Sequence, residues 1–345
     1  MVIGIIGASF AGLVAGSRLA RAGHEVTIIE RNESLGGRLA SIELDNMILD
    51  NGIAHLSAET NTFQTFLAEL QQKTELHEWA EEFSFYDGLN LHNEDPNASP
   101  LTKYALDGGI GQINKYLSRW VDIRAQEKAG GLTYIGPDRG KKRSWMINLT
   151  DVNVFECDAV IIATPATEAY GILQTAQDET AARKIIRVID EVFYDDCISV
   201  AATYDREAPE WKGIKCENSA IRWIGNESSK RDTAGKTGLV IHSSHGTSKK
   251  YERVSDAEAT QYILGEASSV IDSWVSQPES TSLKRWKYFT ARNVIDEYFM
   301  ELEMIDAPLA LVGNYFGGRS VEKAYLSGYN LAEYWINKYS NATVA

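Results

Sequence analysis

The sequence predicts an α/β protein, and three observations carry that prediction. Residues 2–6 are an apolar run of strand length, followed by the loop Gly7-Ala8-Ser9-Phe10-Ala11-Gly12, a helical stretch at 13–22 and a second strand ending at Glu30. Two further runs, 158–165 and 309–313, are apolar at successive positions, as strands buried on both faces are. Between these ends the chain is rich in alternating, strand-like segments. The pattern predicts a Rossmann-like domain, a parallel sheet with helices plus a β-meander, assembled from distant segments. Interleaved with it is a smaller α+β domain on a mixed or antiparallel sheet.

The elements follow in order. Gly23 stops the first helix, and 26–29 form the second strand. Residues 62–72 and 110–120 read as helices, and the polar stretch 87–100, with two prolines, reads as a loop or a crossing between domains. Residues 130–155 read as the meander, with a basic, solvated turn at 138–143. Strands alternate with turns over 191–245, with a polar loop at 226–238. An amphipathic helix is predicted over 256–275, and a closing helix over 321–338.

Composition narrows the function classes. A chain of 345 residues suggests two domains, or one enlarged one, and needs neither metal nor disulfide to fold. With 34 basic and 48 acidic residues the formal charge is −14, which argues against nucleic acid or an anionic membrane as partner. Cys157, Cys197 and Cys216 are odd in number and widely spaced, so neither a disulfide framework nor a metal site is expected, and the compartment is read as the cytoplasm. The apolar start lacks a basic n-region and is broken by glycines and Ser9, unlike a signal peptide. No apolar run reaches membrane-spanning length.

The opening loop carries the first chemistry. Glycines at this spacing let backbone N–H groups approach a pyrophosphate at a helix N-terminus, and Glu30 is placed to accept ribose hydrogen bonds. Ser9 stands where the fingerprint has its middle glycine. A second glycine pair and an arginine follow directly, in Glu30-Arg31-Asn32-Glu33-Ser34-Leu35-Gly36-Gly37-Arg38. Two glycines permit another close backbone approach, and Arg38 can complement a pyrophosphate.

This E-x-x-x-x-x-G-G-R arrangement resembles that of FAD-dependent oxidoreductases of the amine oxidase superfamily. Asp50-Asn51-Gly52-Ile53-Ala54-His55 resembles that superfamily's next flavin-side element. Gly313-Asn314-Tyr315-Phe316-Gly317-Gly318-Arg319-Ser320-Val321-Glu322 resembles its last one. Three more stretches are similar to the renalase family: Ile221-Arg222-Trp223-Ile224 with Ser229-Lys230-Arg231, Gly238-Leu239-Val240-Ile241-His242-Ser243-Ser244, and Arg285-Trp286-Lys287-Tyr288. Tyr104-Ala105-Leu106-Asp107-Gly108-Gly109-Ile110 also resembles amine and protoporphyrinogen oxidases.

The resemblance implies noncovalent FAD and no metal. It places Gly7, Ser9, Phe10, Ala11, Gly12, Glu30, Arg31, Gly37, Arg38, Asn51, Gly52, Ile53, Leu132, Gly313, Asn314 and Val321 in cofactor binding, with the Leu132 backbone paired to adenine. It implies oxidation of a small reductant, a dihydronicotinamide isomer of NAD(P)H, with hydride passing to flavin and then to molecular oxygen, giving hydrogen peroxide. His242 and Trp286 match positions facing the flavin pocket, Tyr288 extends an aromatic wall, and His55 replaces the family's more usual tyrosine. His245 is read as a surface residue and His24 as structural. Hydride transfer needs alignment more than acid–base groups, so no nucleophile or triad is expected. The competing readings are an amine or protoporphyrinogen oxidase, and a nucleotide-binding protein without turnover. Residues 1–75, 105–165 and 300–345 are assigned to the FAD domain, and 76–104 and 166–299 to the substrate domain.

Overall fold

The computed structural model describes residues 1–136, 142–176, 179–302 and 307–340. Most of the basic turn at 138–143 lies outside them. Arg143, its last residue, turns inward and pairs with Asp158 at 2.7 Å, whose carboxylate also accepts the Val2 N–H at 2.7 Å.

The chain forms two compact units, each from separated segments: Met1–Gly37, Ile113–Tyr194 and Ala291–Ala345 in the first, Arg38–Gln112 and Asp195–Thr290 in the second. These boundaries differ from the predicted 75/76, 104/105, 165/166 and 299/300, and side-chain burial explains why. The helices Ala166–Leu173 and Glu179–Ile189 bury Ala166, Ala169, Leu173, Ile185 and Ile189 in the core of the first unit. The hairpin Ile42–Leu44 with Met47–Leu49 packs Met47 and Leu49 against Ala201 and Val240 of the second.

In the first unit, a six-stranded sheet runs Met300–Leu302, Leu309–Leu311, Ala159–Ile162, Val2–Ile6, Glu25–Glu30, Asp122–Ala125. All pairs are parallel except the edge pair of Met300–Leu302 with Leu309–Leu311. The central strand Val2–Ile6 is buried throughout, as its unbroken apolar run requires. The meander is the three-stranded sheet Ala129–Tyr134, Trp145–Leu149, Val154–Cys157. Cys157 lies in the core, and burial pushes its thiol up to about 12, so it packs as an inert apolar group.

In the second unit, a seven-stranded mixed sheet runs Ser280–Ala291, Tyr194–Tyr204, Thr237–Ser243, Ile221–Asn226, Gly213–Cys216, Ser84–Tyr86, Leu91–His92. The stretch 87–100 is therefore not simply a loop. Asp87 accepts the Leu89 and Asn90 N–H groups, each at 2.8 Å, and folds the chain into the hairpin that ends this sheet. The helix Asp256–Val270 starts on Ser255, whose Oγ accepts the Glu258 N–H at 3.2 Å. It buries Ala259, Ile263, Leu264 and Ala267 on the sheet, and the chain then leaves it for a 3₁₀ turn at Ser273–Ser276. The predicted helix over 110–120 is likewise shorter, Gln112–Leu117 with a 3₁₀ turn at Ser118–Trp120.

Phe10–Arg21 and the closing helix Val321–Ser340 meet backbone to backbone within the first unit. A Cβ at Gly328 would lie 2.1 Å from the Ala11 carbonyl oxygen. Gly328→Val must push these helices apart, and overpacking of this kind costs roughly 1–3 kcal/mol. We expect a lower urea midpoint with an unchanged m-value.

Candidate functional site

The first unit carries the dinucleotide loop. Gly7 donates to the Ile29 carbonyl at 2.8 Å and has φ +98°. Ser9 caps Phe10–Arg21, its Oγ accepting the Gly12 N–H at 3.3 Å. Its backbone is extended, at φ −67° and ψ 164°, a conformation open to any residue. The middle position therefore needs no glycine for its dihedrals, and serine adds an N-cap. Gly12 has no such latitude: a Cβ would lie 2.6 Å from the Gly7 carbonyl oxygen and 2.8 Å from Ala163 Cβ. Phe10 and Ala11 are buried in the first turn.

Glu30 has a task that the sequence does not show. Its buried carboxylate accepts the Ala8 N–H at 2.8 Å on one oxygen, and on the other the Asn32 N–H at 2.8 Å and side-chain amide at 2.7 Å. It braces the glycine loop, and of a carboxylate's roughly four acceptor positions about one remains for a ribose hydroxyl. Gly36 donates to the Ala8 carbonyl at 2.6 Å, which ties the second glycine pair to the first loop, and Gly37 has open space on its Cβ side.

Two of the expected cofactor contacts also have internal partners in this unit. Arg31 pairs with Glu168 at 2.8 Å. The Leu132 N–H, expected to pair with adenine, donates to Thr175 Oγ1 at 2.7 Å because Leu132 is fully buried in the core. At the C-terminal element Gly313 donates to Ser327 Oγ at 2.9 Å, Asn314 is half-buried, and Val321 opens the closing helix. Ser320 caps that helix, its Oγ accepting the Lys323 N–H at 3.3 Å.

The second unit holds the remaining candidates, and two of them, Trp286 and His242, meet at the Asn51 backbone. Arg38, expected on a pyrophosphate, donates through Nη1 to the Phe289 carbonyl, and its own carbonyl accepts the Ile53 N–H at 2.8 Å. A Cβ at Gly52 would lie 2.1 Å from that Arg38 oxygen, so only glycine fits. The Asn51 carbonyl accepts the Trp286 indole N–H at 3.1 Å, and the Asn51 backbone also hydrogen-bonds His242. Trp286 and Tyr288 are half-buried and alternate with the exposed Lys287, as a wall on one side of a strand does.

Both histidines are neutral. Burial, with the Arg222 charge second, holds His242 down at about 3, and its Nε2 is buried without a partner. Burial and the charges of Lys230 and Lys103 hold His55 down at about 4; its ring packs 5.2 Å from Phe83 and about equally near Trp79 and Trp223, at 6.2 and 6.1 Å. The Asn51 Oδ1 is also buried with no protein partner. Unsatisfied buried polar atoms cost free energy, and these suit a planar ligand with its own donors and acceptors. His245, by contrast, stands apart from them and pairs with Asp196 at 2.6 Å, while His24 lies 3.4 Å from the N-terminal amine.

The expected polar loop at 226–238 holds the feature that sequence reasoning missed. Lys230 and Arg231 are buried there between Asp50 and Glu227, with Lys230 at 3.1 and 2.7 Å and Arg231 at 2.8 and 3.2 Å. Burial alone would raise the Asp50 carboxyl, but Lys230, Arg231 and the Ile110 N–H outweigh it and keep Asp50 below its ordinary range. The Asp50 N–H also donates to Glu227 at 2.9 Å, so the start of the Asn51–Ile53 segment is fixed. The spacing of Glu227 with Lys230 and Arg231 is visible in the sequence; their burial is not.

A Rossmann-type loop on a parallel sheet in one unit, and aromatic side chains with neutral imidazoles in the other, define a dinucleotide-dependent oxidoreductase. The sequence model of the flavin containing amine oxidoreductase family matches residues 101–335, and that of the NAD(P)-binding Rossmann-like domain matches residues 5–70. The chain belongs to the flavin containing amine oxidoreductase family, and it is an FAD-dependent oxidoreductase. It shares its fold with a putrescine oxidase solved with putrescine bound (TM-score 0.75, 13% identity, 98% of this chain and 99% of that one). A protein from Exiguobacterium sp. 255-15 with a protoporphyrinogen oxidase assignment is similar too (TM-score 0.73, 11% identity, 98% and 99%). A 4,4'-diapophytoene desaturase of Staphylococcus haemolyticus is 46% identical over 52 residues, 15% of this chain and 10% of that protein, so the match spans about a tenth of its length. Among the described residues no helix is long and apolar enough to cross a membrane, and no group of three or more His, Cys, Asp or Glu side chains could hold a metal ion.

The buried charges and the histidines each generate a prediction. Lys230→Met leaves two buried carboxylates short of a cation, and breaking such a network costs about 3–5 kcal/mol, readable as a lowered unfolding midpoint. His242 and His55 have folded values depressed below 6.5, so the stability they contribute is full above pH 6.5 and is lost as pH falls toward 3–4. Denaturant titrations across that window should show His242→Gln with a shallower loss than the parent protein.

Proposed function

We propose that this chain is a renalase-type oxidase that takes a hydride from a dihydronicotinamide isomer of NAD(P)H. FAD, when bound, supplies the chemistry: it accepts the hydride and passes the electron pair, with protons, to oxygen as hydrogen peroxide. In this reading the Gly7–Gly12 loop and the helix N-terminus behind it hold the pyrophosphate, the remaining Glu30 acceptor position takes a ribose hydroxyl, and Gly37, Gly313, Asn314 and Val321 complete the cofactor contacts. The orphaned Asn51 Oδ1 supplies a hydrogen bond at the ring end, and Gly52 and Ile53 set the backbone there. Leu132, Arg31 and Arg38 shape these elements through their internal partners.

One observation carries the choice of substrate class. The candidate residues of the second unit, His55, His242, Trp286 and Tyr288, are neutral, and the nearest charges acting on the two histidines are the cations Arg222, Lys230 and Lys103. An ammonium substrate would meet that positive field without a carboxylate to pair with, since Asp50 and Glu227 are taken. A dihydronicotinamide ring needs an aromatic wall, hydrogen bonds to its carboxamide and exclusion of water, which these residues provide. The resemblance of residues 221–224, 238–244 and 285–288 to the renalase family supports the same reading. Three buried, unpaired cysteines support a reducing, cytoplasmic setting.

Anaerobic mixing of the yellow holoprotein with a panel of dihydronicotinamide isomers, amines and a porphyrinogen tests the proposal. The isomers should bleach the flavin within the mixing experiment, and air should restore it with one peroxide per flavin. Bleaching by putrescine or another amine alone would move the chain to the amine oxidase reading, and bleaching by the porphyrinogen alone to the protoporphyrinogen oxidase reading.

A further inference from the structure

Phe289 lies buried on the strand Ser280–Ala291 between an imidazole and a guanidinium. His242 meets its ring edge-on at 5.1 Å between centroids, and the Arg222 guanidinium carbon stands 5.4 Å from its centroid. Arg222 sits where the pairing of Ile221–Asn226 with Thr237–Ser243 slips register, between Ile221 and Trp223. Such bulges re-aim a side chain and are frequent beside active sites. Arg222 is half-buried, and among the described residues no carboxylate lies within ion-pair distance of it. The contrast with Arg231, which engages both Asp50 and Glu227, is sharp.

A partly desolvated guanidinium without a counter-ion is costly, and its planar fork matches phosphate or carboxylate oxygens. Two buried polar atoms nearby also lack partners, His242 Nε2 and Asn51 Oδ1. With the other ring nitrogen of His242 donating to the Asn51 backbone, Nε2 presents a lone pair and asks for an N–H or O–H donor. We propose that Arg222 binds an anionic oxygen group, a phosphate or a carboxylate, carried by the reducing substrate, while His242 Nε2 accepts a hydrogen bond from an amide or hydroxyl of the same molecule. This assignment rests on the dihydronicotinamide reading above and names the residue that holds the substrate's anionic group. Arg222 is then a specificity residue.

The test compares dihydronicotinamide mononucleotide with the corresponding riboside, which lacks only the phosphate, in anaerobic reduction of the holoprotein. A charge-assisted contact should favour the phosphorylated reductant roughly tenfold to hundredfold in reduction efficiency. Arg222→Gln should bring that ratio close to one, and Arg222→Lys should retain part of it. Equal efficiencies in the parent protein, or a preference kept by Arg222→Gln, would overturn the assignment. A second arm titrates inorganic phosphate and acetate against the oxidised holoprotein and follows the flavin absorbance. A saturable shift in the parent protein, lost in Arg222→Gln, supports the assignment even if neither reductant bleaches the flavin, and the stronger of the two anions distinguishes phosphate from carboxylate. Failure of both reductants to bleach would count against the dihydronicotinamide reading alone; absence of any anion-dependent shift would count against Arg222. Should Arg222→Gln not fold, Arg222→Lys carries both arms, with a weakened ratio and a weakened shift expected.

Discussion

The buried charges around Asp50 are the constraint on which the second unit's site depends. Taking Asp50, Glu227, Lys230 and Arg231 out of water costs several kcal/mol per ion on general grounds, so each must find its partners in one arrangement. That arrangement locks Asp50 through both its carboxylate and its backbone N–H. The residues directly after it, Asn51 to Ile53, inherit a fixed path, and the Asn51 carbonyl becomes the acceptor that orients Trp286 and His242. Burial, with the Lys230 charge as a smaller contribution, keeps the two imidazoles neutral. Neutral imidazoles held this way can orient a ligand without supplying or removing protons of their own.

The first unit solves a different problem with less charge. An anionic dinucleotide must be held by a protein whose formal charge is −14. Aligned peptide dipoles at the start of Phe10–Arg21 provide local positive potential that the overall charge does not cancel, because exposed charges are screened within about 8–10 Å. Glu30 shows how tightly the loop is specified. A carboxylate expected to face a ligand spends most of its acceptor capacity on the loop that would hold that ligand.

Family membership establishes the flavin chemistry, and the similar proteins named above include a putrescine oxidase and a 4,4'-diapophytoene desaturase. Choice among such substrates lies in side chains that vary on a common frame. In the proposed reading those side chains are His55, His242, Trp286, Tyr288 and the bulge residue Arg222.

Local patterns determined much of this molecule from the sequence alone. The glycine loop, both buried parallel strands, the meander and the closing helix follow from apolar runs and turn residues whose consequences are local, and the structure holds them within a few residues of their expected ends. Ser9 looked like a defect in the fingerprint, and its extended backbone shows why serine fits. Burial and pairing were decided only by tertiary structure. The polar stretch 226–238 carries buried Lys230 and Arg231 because Asp50, some 180 residues earlier, is brought against them. The Leu132 N–H and Arg38 Nη1 have internal partners, Thr175 and the Phe289 carbonyl, for the same reason. Secondary structure answers to neighbours a few residues away, whereas the protonation and partners of a side chain answer to whatever distant segment excludes water from it, and no local pattern records that segment.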